Sequence, residues 1–170
     1  ISLSGGVDSM VLFEIINLIK LNEIKYLNVI LCHINYNNRD ESNDEKDFLV
    51  EYCKYKNYEL QYIELDFKRG ELKRDIYEKQ SRNERYNFYS VFLAHHEDDL
   101  VENIFNNLMR GNREITDITV LKEQNEILDV KIYRPMLNVR KNIIYDIAHK
   151  YQIPYFLDTT PDWSCRGKMR

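Results

Sequence analysis

The sequence predicts an α/β fold: a doubly wound, mostly parallel sheet with helices on both faces. Three observations lead there. Short apolar runs alternate with segments of helical period along the chain. The runs YLNVILCHI and SVFLAHH are apolar almost without interruption, as strands covered on both faces of a parallel sheet must be. The first strand passes into the first helix through two adjacent glycines, Gly5-Gly6, where such sheets bind ligands.

Ile1–Leu3 reads as the tail of a strand. Val7–Lys20 reads as a helix, apolar nearly all round except at Glu14, Asn17 and Lys20, and so packed against a sheet. Tyr26–Ile34 is the second strand. The polar stretch NYNNRDESNDEKD then leads into a helix from about Glu45 to Lys56. Tyr58–Phe67 is the third strand, Arg69–Tyr89 a charged segment of helical pattern, and Ser90–His96 the fourth strand. A helix over Asp98–Arg110 is closed by Gly111. Thr116–Lys122 and Ile127–Arg134 flank Gln124-Asn125 and predict a hairpin turning there. Val139–Tyr151 is a helix begun by Asn138, and Pro154–Leu157 a last short strand. ERYNFY meets SVFLAHH with no turn residue, although helix-to-strand connections usually take about 2–6 residues. Additional loop residues are therefore expected near 89–91.

A chain of 170 residues, 44% hydrophobic and 31% charged, suits one globular domain and excludes a disordered chain. The net charge of −4 excludes a general polyanion binder, so nucleic-acid contact must come from local basic clusters at Lys68–Arg74, Arg134–Lys141 and Arg166–Arg170. Cys32, Cys53 and Cys165 form no CxxC pair, a reduced pattern that points to the cytoplasm. No stretch reaches transmembrane length, so no membrane partner is expected. The chain starts mid-strand without an initiator Met, which reads as a trimmed N-terminus and leaves organellar targeting open.

The turn SGGVDS is neither a Walker A loop, which needs GxxxxGK[ST], nor a GxGxxG fingerprint. Its glycines let backbone N–H groups converge as an anion nest, and the helix after it adds its positive end. Ser4 and Ser9 offer hydroxyls, so Ser4, Gly5, Gly6 and Ser9 are candidate phosphate-binding residues. Asp8 beside a phosphate nest repels the ligand unless a cation bridges them, and Mg²⁺ is the natural one. A tight turn with a helix cap would also explain this stretch.

In HHEDDLVEN, Leu100, Val101, Ile104, Phe105 and Leu108 gather on one side at 100° per residue, with Asp99, Glu102 and Asn106 opposite. A carboxylate pair thus projects from the start of a helix that follows a strand end. Capping explains Asp98 or Asp99 well, but Glu102 and His95-His96 less well. Adjacent histidines at a strand end point to opposite faces, which makes them poor zinc co-ligands.

SGGVDS resembles the pyrophosphate loop of the N-type ATP pyrophosphatases, the PP-loop superfamily with an adenine nucleotide alpha hydrolase-like fold. HINYNNRDESNDEKDF is similar to the HxNHxLRxxSxxDExF stretch of the tRNA(Ile)-lysidine synthetase family. RNERYNFY and LAHHEDDLVENIFNNLMRG resemble its RxxRYxFL and HHxDDxxETxLxxLxRG segments. YRPMLNVRKNIIYDIAHKYQIPYFLDTTPDW resembles its RPLLxxxRxxIxxYxxxxxIPxxxDxSN region. Tyr36 stands where the family has a second His, Leu100 replaces a polar residue, and Asn103 replaces a Thr. The C-terminal tRNA-binding domains that many members carry have no counterpart in the sequence.

The resemblance implies that ATP and Mg²⁺ are used to adenylate the wobble cytidine of tRNA(Ile) and that free lysine then displaces AMP. On that reading Ser4, Gly5, Gly6 and Ser9 hold pyrophosphate, Asp8 and Asp99 hold Mg²⁺, and His33 lies where adenine is contacted. Asp99 and Glu102 grip lysine, His95 contacts the α-phosphate or assists proton transfer, and Arg85 contacts phosphate or the activated nucleotide. A homodimer is compatible with it. Two other readings stay open: a tRNA thiolase of the same superfamily, and a nucleotide- or tRNA-binding module without turnover.

Overall fold

The apolar run behind the glycine turn folds into α1 (Val7–Asn22), where Met10, Val11, Leu12 and Phe13 are each 1% exposed or less. The polar exceptions on this helix turn inward and find partners. Glu14 accepts hydrogen bonds from the Tyr52 hydroxyl (2.6 Å) and Lys56 Nζ (3.0 Å), and Asn17 accepts from the Tyr58 hydroxyl (3.0 Å). Such pairing offsets the cost of burying them. The structure, a computed structural model, describes residues 1–36, 41–65, 92–109, 121–127 and 130–157.

β1 (Leu31–Asn35) is buried along its whole length and pairs in parallel with β2 (Leu60–Glu64), Leu31 opposite Leu60. Between them in sequence lies α2 (Ser42–Tyr55). α3 (Glu97–Met109) follows later in the chain, then the antiparallel hairpin of β3 (Gln124–Ile127) and β4 (Val130–Tyr133), then α4 (Lys141–Lys150). Residues 1–3 lie beside β1, with Leu3 N donating to Cys32 O (2.8 Å) and Cys32 N to Ile1 O (2.9 Å). On their other side Ser2 N donates to Phe92 O (3.2 Å), and Phe92 pairs in parallel with Tyr133. The spatial order is therefore β2, β1, 1–3, 92–93, β4, β3.

From residues 1–3 the chain winds outward to one side and then crosses to the other, which is the doubly wound pattern. Its switch point lies between 1–3 and 92–93, at their carboxyl ends, where α/β sheets bind ligands. α1 packs on α4, and Phe13 meets the Tyr52 ring of α2 edge-on at 6.3 Å, so these helices share a face.

Several boundaries differ from the sequence reading. β1 begins at Leu31, because Ile24–Leu27 close a turn (Leu27 N to Ile24 O, 2.9 Å) and Tyr26 is left outside. α2 begins at Ser42 rather than Glu45. The hairpin does not turn at Gln124-Asn125. Asn125 sits in the ladder opposite Ile132, held there because its carbonyl oxygen accepts from Arg134, and the reversal falls between Ile127 and Val130. α4 is capped at Arg140, not Asn138, whose amide donates to Glu123 instead. Among the described residues of the fourth strand, pairing falls at 92–93, so His95 and His96 form its exit, and the last strand is a single bridge from Phe156 to Gly6. On α3 Val101, Phe105 and Leu108 remain exposed, so the expected apolar stripe is not buried. The helix expected over Arg69–Tyr89, the junction at 89–91, and Gly111 lie outside the described residues. Among the described residues, no helix is long and apolar enough to cross a membrane.

Candidate functional site

The two glycines of the turn are needed for different reasons. Gly5 has φ +86°, and a Cβ there would lie 3.0 Å from the Phe156 ring and 3.5 Å from Leu49 Cδ1. Both the backbone and the packing demand glycine. Gly6 has ordinary extended angles (φ −70°, ψ 159°), and among the described residues a Cβ there would meet only Ser4 Oγ at 3.6 Å. Packing among the described residues therefore does not require the second glycine. The space it leaves lies at the mouth of α1, whose first-turn N–H groups have no intrahelical acceptor.

The serines close the loop on itself. Ser9 Oγ donates to Gly6 O (3.0 Å) and accepts from Ser4 N (3.1 Å). With its one proton spent there, the 3.1 Å contact between the two hydroxyls has Ser4 Oγ donating to Ser9. Ser4 Oγ also accepts from Gly6 N at 3.4 Å. The turn is thus held in shape by its own side chains.

Asp8, in the first turn of α1, meets Lys141 Nζ through both carboxylate oxygens, at 2.5 and 2.6 Å. His96, 5% exposed, places Nε2 3.6 Å from Asp8 Oδ1 and 3.5 Å from Asp99 Oδ2. Asp99 reaches back to accept from His96 N (3.0 Å), capping α3 in the manner of a capping box. Asp8, Asp99 and Lys141 belong to the first turns of α1, α3 and α4, so three helix N-termini converge at the switch point. Their dipoles all favour an anion there.

The other sequence candidates are placed as follows. His33 is buried and its Nδ1 lies 2.8 Å from Leu3 O, so the ring pins residues 1–3 to β1 just before the turn. Burial lowers its pKa, while the Leu3 carbonyl pulls it back up and Lys46 lowers it further. His95 Nδ1 accepts from Arg134 Nε at 3.0 Å. Glu102 is exposed one turn further along α3. Arg85 lies outside the described residues.

Sequence reasoning placed Arg134 and Lys141 only in a basic cluster and gave His96 no role of its own. Lys141 carried a signal nonetheless. A lysine at the first position of a helix opposes the dipole, which favours acids there, so its presence calls for a partner such as Asp8.

Among the described residues no group of three or more His, Cys, Asp or Glu is arranged to hold a metal ion. Asp8 and Asp99 still fit Mg²⁺, which binds through one or two carboxylates together with substrate phosphates. The Lys141 ammonium marks the place beside Asp8 where positive charge is accepted. Burial pushes the Cys53 thiol up to about 12 and raises Cys32 as well, so neither is a ready nucleophile.

Residues 1–164 match the family model of a PP-loop domain. The chain is 31% identical over 170 residues to a tRNA(Ile)-lysidine synthase of Mycoplasma mycoides, covering 94% of this chain and 41% of that protein. It is 30% identical to a tRNA(Ile)-lysidine synthase of Enterococcus faecalis, covering 94% and 36% respectively. It spans less than half the length of these curated relatives. Among solved structures, the U34-tRNA thiolase NcsA of Methanococcus maripaludis, with its [4Fe-4S] cluster, superimposes with a TM-score of 0.74 at 20% identity. The match covers 96% of this chain and 59% of that one.

Proposed function

The chain belongs to the PP-loop domain family, and from that premise we propose that it uses ATP to adenylate the wobble cytidine of tRNA(Ile) and replaces AMP with lysine. One observation carries the phosphate chemistry. The starts of α1, α3 and α4 converge on Asp8, Lys141 and Asp99, beside a glycine whose missing side chain leaves room for a ligand. The choice of tRNA(Ile) and lysine rests on the segments similar to lysidine synthetases and on the names of the relatives.

Attack of the cytosine carbonyl oxygen on the α-phosphate expels pyrophosphate, and the developing charge needs preorganised donors. The first-turn N–H groups of α1 and the Gly5-Gly6 backbone supply them, and the hydroxyls of Ser4 and Ser9 would join by turning from the loop to phosphate. Lys141, now spent on Asp8, is within reach to pair with phosphate once Asp8 has another cation. Asp8 and Asp99 would hold Mg²⁺, which neutralises phosphate charge when bound. His95 donates to an α-phosphate oxygen, and Arg85 grips phosphate through its planar guanidinium. Asp99 and Glu102 bind the lysine ammonium and orient its amine for the displacement of AMP.

A thiolase reading finds less support among the described residues, where Cys32 and Cys53 are buried and protonated; Cys165 lies outside them. The deciding experiment is mass spectrometry of the nucleosides after incubation with a CAU-anticodon tRNA, ATP and lysine. Cytidine gaining the mass of lysine is expected, with AMP release that depends on lysine. A sulfur-containing product, or unmodified tRNA, would overturn the reading.

A further inference from the structure

Arg134 is a guanidinium at 3% exposure, and a buried charge must have its donors matched. The hairpin does this. Arg134 Nη1 donates to Lys122 O (2.8 Å) and to Asn125 Oδ1 (2.6 Å), while its backbone N donates to Glu123 O (2.8 Å). Held in this way, the fork aims Nε at His95 Nδ1, 3.0 Å away.

We propose that Arg134 is a positioning residue that fixes His95 as a neutral imidazole with its proton on Nε2, making His95 a hydrogen-bond donor and not a proton acceptor. A guanidinium keeps its protons, so Arg134 Nε can only donate and His95 Nδ1 can only accept. The neutral ring then carries its hydrogen on Nε2. An imidazolium would set one N–H against another and one positive charge against another. The contribution of His95 to phosphate binding rests on the function proposed above, but its tautomer does not. The inference also gives the β3–β4 hairpin a purpose, since it is the hairpin that immobilises Arg134.

His33 supplies an internal contrast. Its Nδ1 lies 2.8 Å from a carbonyl, which only accepts, so His33 must carry its proton on Nδ1. The test is a long-range ¹H–¹⁵N spectrum of the imidazole nitrogens of the labelled chain at neutral pH, with His95→Gln identifying the His95 signals. The expected result is opposite tautomers, Nε2–H for His95 and Nδ1–H for His33. A His95 protonated on Nδ1, on both nitrogens, or averaging between them overturns the proposal.

Arg134→Met should then shift His95 towards a mixture of tautomers while the His33 pattern, which reports an intact fold, stays put. If His95 keeps its tautomer in a folded Arg134→Met chain, Arg134 is not what sets it. Should that variant not fold, the wild-type spectrum alone decides. In ATP–pyrophosphate exchange Arg134→Met should lose about tenfold, the lower end of what outer partners of metal-bound histidines contribute. Wild-type chain without exchange would defeat the proposed function while leaving the tautomer result standing.

Discussion

At the glycine turn, six consecutive residues supply the backbone, the hydroxyls and a carboxylate. At the start of α3 the working groups are assembled from places far apart in the chain. His96 comes from just before α3 and Asp99 from its first turn, Lys141 from α4, and Arg134 from just after β4. The turn is anchored in the core, with Gly5 against Phe156 and Leu49 and the most buried residues of α1 directly behind it. The α3 side has an exposed apolar face and is held through long polar contacts instead. A binding cradle can be built stiff from local sequence. The α3 side, which on the proposed function must also admit two further substrates, is assembled from separate elements.

The largest effects should separate the two halves by reaction step. Asp8→Ala should lower ATP–pyrophosphate exchange by at least about 10²–10³-fold, the cost of removing a preorganised electrostatic group. Glu102→Ala should leave exchange near wild type and abolish lysine transfer. Measuring both steps in both variants checks this, and loss at the same step in each would erase the division between the halves. Lys141→Met should fall between them, with exchange weakened and partly restored in Lys141→Arg, since the Asp8 partner must be a cation.

A smaller effect tests the turn against itself. Gly5→Ala forces an L side chain into φ +86° and against Phe156, and should destabilise the fold by about 1–3 kcal/mol in urea melts. Gly6→Ala has ordinary angles and open space, so its stability should stay within about 0.5 kcal/mol of wild type. It should nevertheless weaken ATP binding about tenfold, or ~1.4 kcal/mol, by filling the cradle. Equal stability loss in the two would show that both glycines serve packing alone.

The same contrast explains how far the sequence could be read. SGGVDS announces an anion site because strand, glycines and helix start are contiguous, and the alternation of elements reveals the sheet. Lys141 lies 133 residues from Asp8, and no local pattern pairs them. His95 and His96 are neighbours with different tasks, one turned to Arg134 and one set between two carboxylates. That division depends on how the chain leaves the sheet after Leu93, which composition does not encode. Asn125 misled for a related reason: its turn preference yields to the buried guanidinium that its side chain satisfies.

The smallest effect concerns the joint that holds the turn to the sheet. Burial lowers the pKa of His33 below its ordinary value of 6.5, more than the Leu3 carbonyl raises it. Between the folded and unfolded values the unfolded chain therefore binds more protons, and stability must rise with pH there. The contribution of His33 is complete above 6.5 and is lost as pH falls through the folded value. Urea melts between about pH 5 and 8 should show this slope on the acid side, and His33→Gln should flatten it. If the slope survives in His33→Gln, the acid-sensitive contact lies elsewhere.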